Sequence, residues 1–233
     1  MEQTLRSECA RLGIALTDAQ VAQFCRFGQA LIEKNKVMNL TAITEPQAVA
    51  KLHFADCLAL LQAVDFRGKS VIDVGCGAGF PGVPLKLGEP SIELILLDSL
   101  QKRVAWLRET LGDMGVQAQC VAARAEEYAA REQFDFAVSR AVARLNVLAE
   151  LCLPFVKVGG CFLAMKAAAA EEELSEAKRA VEVLGGKLER TFEYEIDGAC
   201  RRVLIFRKTR PTPAQYPRRF AKIKQQPLSW YSE

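Results

Sequence analysis

The sequence predicts an α/β protein in which a mostly parallel sheet carries helices on both faces. Between residues 70 and 167, short apolar runs alternate with stretches of helical periodicity, and strands buried on both faces are typical of parallel sheets with helical crossovers. The residues before this region contain helical patterns and no strand pattern, and those after 209 are basic and rich in proline. We therefore expect a helical cap (1–66), a sheet-containing core (67–209) and a basic C-terminal tail (210–233).

Two helix starts can be located in the expected cap. Thr17 and Gln20 have the spacing of a capping box, and apolar side chains recur at helical intervals after them. A second helix is expected to begin after Thr44, with Pro46 in its first turn and Gln47 completing another capping box.

Seven strands are expected in the core. The last two, "KLERTFEYEI" and "RRVLIFRKT", are separated only by "DGACR", which is too short for a helical crossover, so they should pair antiparallel. The other five are expected to be parallel, at 70–75, 92–98, 118–123, 134–141 and 159–167.

Composition excludes several classes of protein. The 233 residues carry a net charge of only +3, eight cysteines without a CxxC pair, and one histidine. A Cys/His metal site of ordinary spacing is therefore not expected, and reduced cysteines in apolar runs favour the cytoplasm. No apolar stretch approaches the roughly 18 residues of a membrane span, so neither a metal nor a membrane partner is expected.

A glycine-rich loop, "VIDVGCGAGFPGVPL" from Val71 to Leu85, follows the first expected strand. Glycine lets the backbone turn sharply and approach a ligand without an intervening Cβ atom. Ligands of open α/β sheets bind beyond the carboxyl ends of the strands. The loop therefore predicts a ligand site. The role of Asp73, the acid directly before the glycines, has to be found separately.

The glycine spacing distinguishes two classes of ligand. The dinucleotide pattern G-x-G-x-x-G would need a glycine where the chain has Phe80, which disfavours a dinucleotide-dependent oxidoreductase. The chain instead reads D-x-G-x-G-x-G, from Asp73 through Gly75, Gly77 and Gly79. This spacing resembles motif I of the class I S-adenosylmethionine-dependent methyltransferases.

A second acid fits the same class. Asp98 ends the second expected strand, 23 residues after Gly75, where a carboxylate can accept hydrogen bonds from both ribose hydroxyls. Dinucleotide-binding proteins share such an acid, so Asp98 supports a nucleoside ligand without identifying it.

The residues after the fourth expected strand bear on the methyl acceptor. They read "SRAVARL" and lack the Asn/Asp-Pro-Pro-aromatic motif usual in enzymes that methylate exocyclic amines. Enzymes that methylate a cytosine carbon use a cysteine nucleophile. Cys152 is the candidate here, but it lies in an apolar helical pattern and is expected in the core. A ring nitrogen such as guanine N7 needs neither a motif of this kind nor a cysteine, but acceptors in another RNA, a protein or a small molecule stay open, as does an inactive scaffold.

Several segments together resemble one family, the bacterial 16S ribosomal RNA guanine-N7 methyltransferases known as RsmG or GidB. The resemblance implies a class I methyltransferase, a Rossmann-like fold whose seven-stranded, mostly parallel sheet has an antiparallel last strand, plus an N-terminal helical cap. It implies a cytoplasmic monomer that uses S-adenosyl-L-methionine to methylate N7 of one guanine in 16S rRNA of the small ribosomal subunit. The segments are "MNLTAITEPQAVAKLHFADCLAL", "VIDVGCGAGFPGVPLKL", "LLDSLQKRVAWL", "RAEEY", "VSRAVARL" and "GGCFLAMKA".

The resemblance also implies roles for individual residues. Cofactor contacts are expected, together with the motif residues Gly77, Gly79 and Asp98, at Gly75, Phe80, Ala125, Glu126 and Arg140. Residues expected to position the substrate are His53, Arg140 and Lys166. Lys102 and Arg124 match basic positions of the family and are expected to bind RNA. The basic composition of the tail, rather than the resemblance, adds Arg218 and Arg219 to the residues expected to bind RNA. No residue is assigned as catalytic, and the tail aromatic residues Tyr216, Trp230 and Tyr231 are expected to anchor the tail on the core.

Overall fold

The computed structural model describes residues 1–140, 143–167 and 171–228. Thr17 caps the long second helix as expected, because its side chain accepts from the Gln20 amide while the Gln20 side chain accepts from the Thr17 amide. The first helix was not predicted. The helical elements before the sheet are α1 (Glu2–Arg11), α2 (Asp18–Met38), α3 (Pro46–Val49), a π-helical segment (Ala50–Ala55), α4 (Asp56–Leu58) and α5 (Leu60–Ala63).

The cap of α3 differs from the expectation. Glu45, not Thr44, is the N-cap residue, and its carboxylate accepts from the amides of Gln47 at 2.8 Å and Ala48 at 3.2 Å. Pro46 occupies the first turn as predicted. A carboxylate one residue closer to the helix reaches the free amides of the first turn and carries a charge that favours a helix start.

The sheet has seven strands in the order β3-β2-β1-β4-β5-β7-β6. Strand β7 runs antiparallel to both β5 and β6, and the other neighbours are parallel, which confirms the predicted sheet. The strand order reverses at β1, which lies between β2 and β4. The strands are β1 (Ser70–Val74), β2 (Glu93–Asp98), β3 (Gln119–Ala122), β4 (Phe134–Arg140), β5 (Val156–Ala167), β6 (Gly186–Ile196) and β7 (Ala199–Lys208).

Two apolar clusters lie against the sheet. One contains side chains of the N-terminal helices, such as Phe24 and Phe27, together with Val71 and Leu96 of the sheet. The other contains α8, α9 and Ile223 near the C-terminus. The N-terminal helices therefore share a core with the sheet. The remaining helices are α6 (Gly82–Gly88), α7 (Gln101–Asp113), α8 (Leu145–Cys152), α9 (Glu171–Val183) and α10 (Phe220–Gln225), with 3-10 turns at Ala125–Glu127 and Leu153–Phe155.

The basic tail is fastened to the core rather than extended into solvent. Arg218 forms an ion pair with Glu150, which is fully buried in α8. Arg131 donates to the carbonyl oxygen of Thr212 at 3.0 Å, and Tyr216 packs against the second apolar cluster. Trp230, Tyr231 and the strand residue expected at Ala141 lie outside the described residues.

All eight cysteines lie in described segments and are free thiols, six of them buried. Among the residues that the structure describes, no helix is both long enough and apolar enough to cross a bilayer.

Candidate active site

A cavity of about 470 Å³ opens where β1, β2, β3 and β4 end. This is the side of the sheet, next to its topological switch point, where α/β proteins bind ligands. The residues that line it come from the cap, the glycine loop, the ends of the strands and the segments that follow them, α7, α8 and the tail. They include Thr41, His53, Gly75, Cys76, Gly77, Phe80, Asp98, Arg103, Arg124, Ala125, Glu126, Arg140, Leu151 and Phe220.

The glycines of the loop have different structural roles. Gly75 and Gly77 line the cavity with φ of 73° and 56°, and a Cβ atom on Gly77 would meet no atom within 4 Å. Gly79 does not line the cavity. A Cβ atom there would lie 2.6 Å from Val83 Cγ2 and 2.9 Å from Leu107 Cδ2. The expected cofactor contact of Gly79 is thus replaced by close packing behind the loop.

Asp73 fastens the loop from beneath. Its Oδ2 atom accepts from the Gly82 amide at 2.7 Å, and its Oδ1 atom has no hydrogen-bond partner among the described residues. Complete burial raises the pKa of Asp73 to about 7. The acid before the glycines therefore serves the conformation of the loop, because it ties the start of α6 to the end of β1.

Asp98 stands at the rim of the cavity where a ribose is expected. Its Oδ2 atom accepts from the Gly77 amide at 2.9 Å, and its Oδ1 atom accepts from the Leu100 amide at 2.8 Å. Each carboxylate oxygen keeps a further lone pair for a ligand hydroxyl. The open backbone at Gly77 beside this carboxylate fits a nucleoside cofactor such as S-adenosylmethionine.

Residues of the third strand's loop form the next part of the wall. Ala125 and Glu126, for which cofactor contacts are predicted, belong to the 3-10 turn at Ala125–Glu127 and line the cavity. Arg124 lines it too, with its Nη1 atom 3.8 Å from Glu126 Oε1. Leu151 of α8 and Phe220 of the tail complete this region.

Rings and a guanidinium form a second region of the wall. His53 stacks on Phe80 with ring centroids 4.5 Å apart, and the Cζ atom of Arg140 lies 4.9 Å from the Phe80 ring centroid. The Nη2 atom of Arg140 lies 2.9 Å from His53 Nδ1. His53 belongs to the π-helical segment of the cap, a form of helix that often occurs at functional sites.

The hydrogen bonds of His53 define its tautomer. A guanidinium only donates, so Nδ1 accepts from Arg140, and Nε2 carries the proton and donates to Thr41 Oγ1 at 2.8 Å. Burial, assisted by the charge of Arg140, lowers the pKa of His53 to about 3. The imidazole is therefore neutral, with both nitrogens engaged.

Arg140 is itself held by the cap and the sheet. Its Nη1 atom donates to the Leu52 carbonyl at 3.0 Å and to Asp56 Oδ2 at 3.1 Å. The other carboxylate oxygen of Asp56 accepts from the Tyr194 hydroxyl at 2.9 Å. Burial raises the pKa of Tyr194 further above its usual range, so its hydroxyl remains a donor. This chain of contacts fixes the orientation of the guanidinium.

Besides Gly79, four of the expected site residues do not line the cavity. Lys166 donates to Glu173 Oε2 at 2.6 Å and to the Ala143 carbonyl at 3.0 Å, so it braces α9 instead of positioning a substrate. Arg218 is committed to Glu150, which removes it from the expected RNA contacts. Lys102 and Arg219 are exposed on the first turn of α7 and before α10.

Five of the lining residues named above were not among the expected site residues: Thr41, Cys76, Arg103, Leu151 and Phe220. Thr41 lies in the "MNLT" segment that resembles the family, so a signal for it was present. Arg103 lies next to the expected Lys102. Leu151 and Phe220 occupy positions that look like ordinary core residues in the sequence. In the described segments, no group of three or more His, Cys, Asp or Glu side chains has the arrangement of a metal site.

The strand order, the glycine loop after β1 and the acid that ends β2 define the class of S-adenosylmethionine-dependent methyltransferases. A SAM-dependent methyltransferase from Aquifex aeolicus superposes with a TM-score of 0.54 at 17% identity, over 75% of this chain and 97% of that one. TYW2 from M. jannaschii, solved in complex with AdoMet, gives a TM-score of 0.52 at 16% identity, over 64% and 74% of the two chains. Both likenesses concern the fold.

The chain belongs to the GidB family, rRNA small subunit methyltransferase G, whose model matches residues 20–202. Relatives named ribosomal RNA small subunit methyltransferase G include one from Pelotomaculum thermopropionicum, which is 44% identical and aligns over 98% of this chain and 99% of its own. Another, from Clostridium botulinum, is 43% identical over 96% and 97% of the two chains. The protein is thus a methyltransferase of a ribosomal RNA family, and S-adenosylmethionine is the methyl donor of its class.

Proposed function

We propose that this protein methylates N7 of one guanine in 16S rRNA. The observation that carries the proposal is the state of His53. Both of its ring nitrogens are engaged, and its pKa is lowered to about 3, so it is unsuited to remove a proton near neutral pH. N7 of guanine has a free lone pair and no proton to lose, so its methylation needs no base.

The chain's own residues would contribute binding and orientation. S-adenosylmethionine supplies an activated methyl group when bound. Gly77, Asp98, Ala125 and Glu126 are proposed to hold it along the glycine loop and the ends of β2 and β3. Alignment of a nucleophile with such a group can supply several kcal/mol, up to roughly 7–11 in favourable cases.

The wall formed by His53, Phe80 and Arg140 is proposed to receive the target base. Arg140 lines the cavity and its side chain is 16% exposed, so part of this side chain is available to a ligand. It would donate to an acceptor of the guanine or the RNA backbone, while the stacked rings of His53 and Phe80 exclude water. Its fixed orientation reduces the entropy lost when the base binds.

Exposed basic residues around the cavity support an RNA substrate. Arg124 lines the cavity, while Lys102 and Arg219 are exposed, and such groups bind phosphates. We propose that the protein acts as a monomer in the cytoplasm on the RNA of the small ribosomal subunit. In this proposal residues 1–66 form the helical cap, 67–209 the methyltransferase core, and 210–233 a basic tail that packs on or near the core.

The proposal is tested by methyl transfer from tritiated S-adenosylmethionine. The substrates are 16S rRNA and small ribosomal subunits from cells that lack the corresponding gene. After the reaction, the RNA is cleaved chemically at N7-methylguanine. Label at a single guanine with cleavage there is expected. Label without N7 cleavage would overturn the choice of atom, and label only on protein or small molecules would overturn the choice of substrate.

A further inference from the structure

An aromatic side chain from the C-terminal tail reaches the cofactor cavity. Phe220 is the first residue of α10, is partly exposed, and lines the same cavity as Asp98 and Ala125. Nothing in its sequence context, "YPRRFAKIK", distinguishes it from an anchoring residue. Its position at the cavity therefore calls for a role toward the ligand.

The surroundings of Phe220 show which part of the cavity it serves. Phe220 and Ala125 both pack against the apolar cluster that contains Leu151, and all three line the cavity. The ring wall at Phe80 belongs to the other cluster. Helix α8 contacts both α10 and the 3-10 turn at Ala125–Glu127. Phe220 therefore lies beside Ala125, one of the residues proposed to hold the cofactor, and away from the proposed base-binding wall.

The tail holds Phe220 on both sides. Two residues before it, the amide and guanidinium of Arg218 donate to Glu150 at 2.7–2.8 Å. Three residues after it, Ile223 is completely buried. Because anchors flank Phe220, its ring is positioned before a ligand arrives, which lowers the entropy cost of binding.

We propose that Phe220 is a cofactor-binding residue that provides an aromatic wall for the adenine of S-adenosylmethionine. This inference rests on the proposed cofactor site and extends that site into the tail. A purine has a π-face to stack on an aromatic ring, and the loss of such a contact weakens binding about tenfold.

The first test is the dissociation constant of S-adenosylmethionine, measured by calorimetry without RNA. Phe220→Ala is expected to raise the Kd about tenfold, and Phe220→Tyr, which keeps the ring, to stay within about twofold of the unmodified protein. Lys222→Ala is the matched control, because Lys222 is exposed on the same short helix and does not line the cavity. It should leave the Kd unchanged.

Asp98→Ala separates this inference from the proposed cofactor site. If Asp98→Ala weakens binding while Phe220→Ala does not, the site holds and the role of Phe220 is wrong. If Asp98→Ala has no effect, the proposed site fails first. Thermal melting of each variant without ligand identifies unfolding as the cause of any loss.

Proteolysis supplies a readout that does not depend on substituting Phe220. Trypsin cleaves after the exposed Lys222 and Lys224 beside it. Saturating S-adenosylmethionine should slow this cleavage several-fold, because a ligand that contacts Phe220 stabilises the folded, protease-resistant tail. Cleavage at an unchanged rate in the unmodified protein would overturn the inference.

Discussion

The Nδ1 atom of His53 lies 2.9 Å from the Nη2 atom of Arg140, which places a neutral ring of the cap against a guanidinium at the end of β4. The contact requires an unprotonated Nδ1. It therefore makes the cavity wall sensitive to the charge of the histidine.

His53 is the single histidine of the chain, so its ring signals are unambiguous in NMR spectra. Its pKa is lowered from 6.5 to about 3 by burial and by Arg140. The C2 proton shift of the ring should therefore stay constant between pH 5 and 8. A titration midpoint near pH 6.5 would contradict the contact with Arg140.

The same pKa predicts how stability depends on pH. The unfolded chain takes up the proton near pH 6.5 while the folded chain does not, so the contribution of neutral His53 is complete above pH 6.5 and falls as the pH decreases toward 3. The slope is up to about 1.4 kcal/mol per pH unit. Urea unfolding at several pH values should show a smaller slope in His53→Gln, since its amide does not titrate. Equal slopes in the two proteins would refute the prediction.

Asp56→Asn should destabilise the protein by about 3 kcal/mol, because it leaves the buried guanidinium of Arg140 without its carboxylate. Chemical denaturation measures the loss. Asp197→Asn is the control, since Asp197 pairs with Lys51 at the surface and such pairs contribute little. Equal effects of the two changes would mean that the Asp56–Arg140 pair does not hold the site together.

Neighbouring arginines of the tail should behave differently. Arg218→Ala should lower the free energy of unfolding by about 3 kcal/mol, because Glu150 would keep a buried, unpaired charge. Arg219→Ala should leave stability unchanged and reduce the salt dependence of RNA binding by about one unit of log–log slope. Unfolding curves and RNA binding at several salt concentrations test both. A larger stability loss in Arg219→Ala would reverse the assignment.

Gly77→Ala and Gly79→Ala should separate cofactor binding from folding. The methyl group at Gly79 would overlap Val83 and Leu107 at a φ of +94°, so unfolding should become about 3 kcal/mol easier. At Gly77 the methyl group would point into open space, at a smaller cost of about 1 kcal/mol. Gly77→Ala should instead lose affinity for S-adenosylmethionine, as measured by calorimetry. Retained affinity in a folded Gly77→Ala protein would argue against a ligand at the loop.

Local patterns in the sequence were sufficient for the sheet and for placing Gly77 and Asp98 at the ligand edge of it, whereas Ala125 was expected from the family resemblance. Apolar runs, glycine spacing and short connections involve only a few neighbouring residues, so they can be recognised in the sequence without knowledge of the tertiary structure. The ion pair of Arg218 with Glu150 and the bond of Lys166 to Glu173 depend on which helix packs beside each cation. A sequence records the charges of these side chains but not their partners. Arg218 and Lys166 were therefore expected to face a ligand.

The hydrogen bond from Tyr194 to Asp56 joins residues 138 positions apart. A ribosome releases the helix that carries Asp56 long before it releases β6, which carries Tyr194. A nascent chain that ends before β6 therefore lacks the hydroxyl that helps to fix Asp56, and with it the full support of Arg140. The chain must be synthesised almost to its end before this guanidinium is held as it is in the mature enzyme.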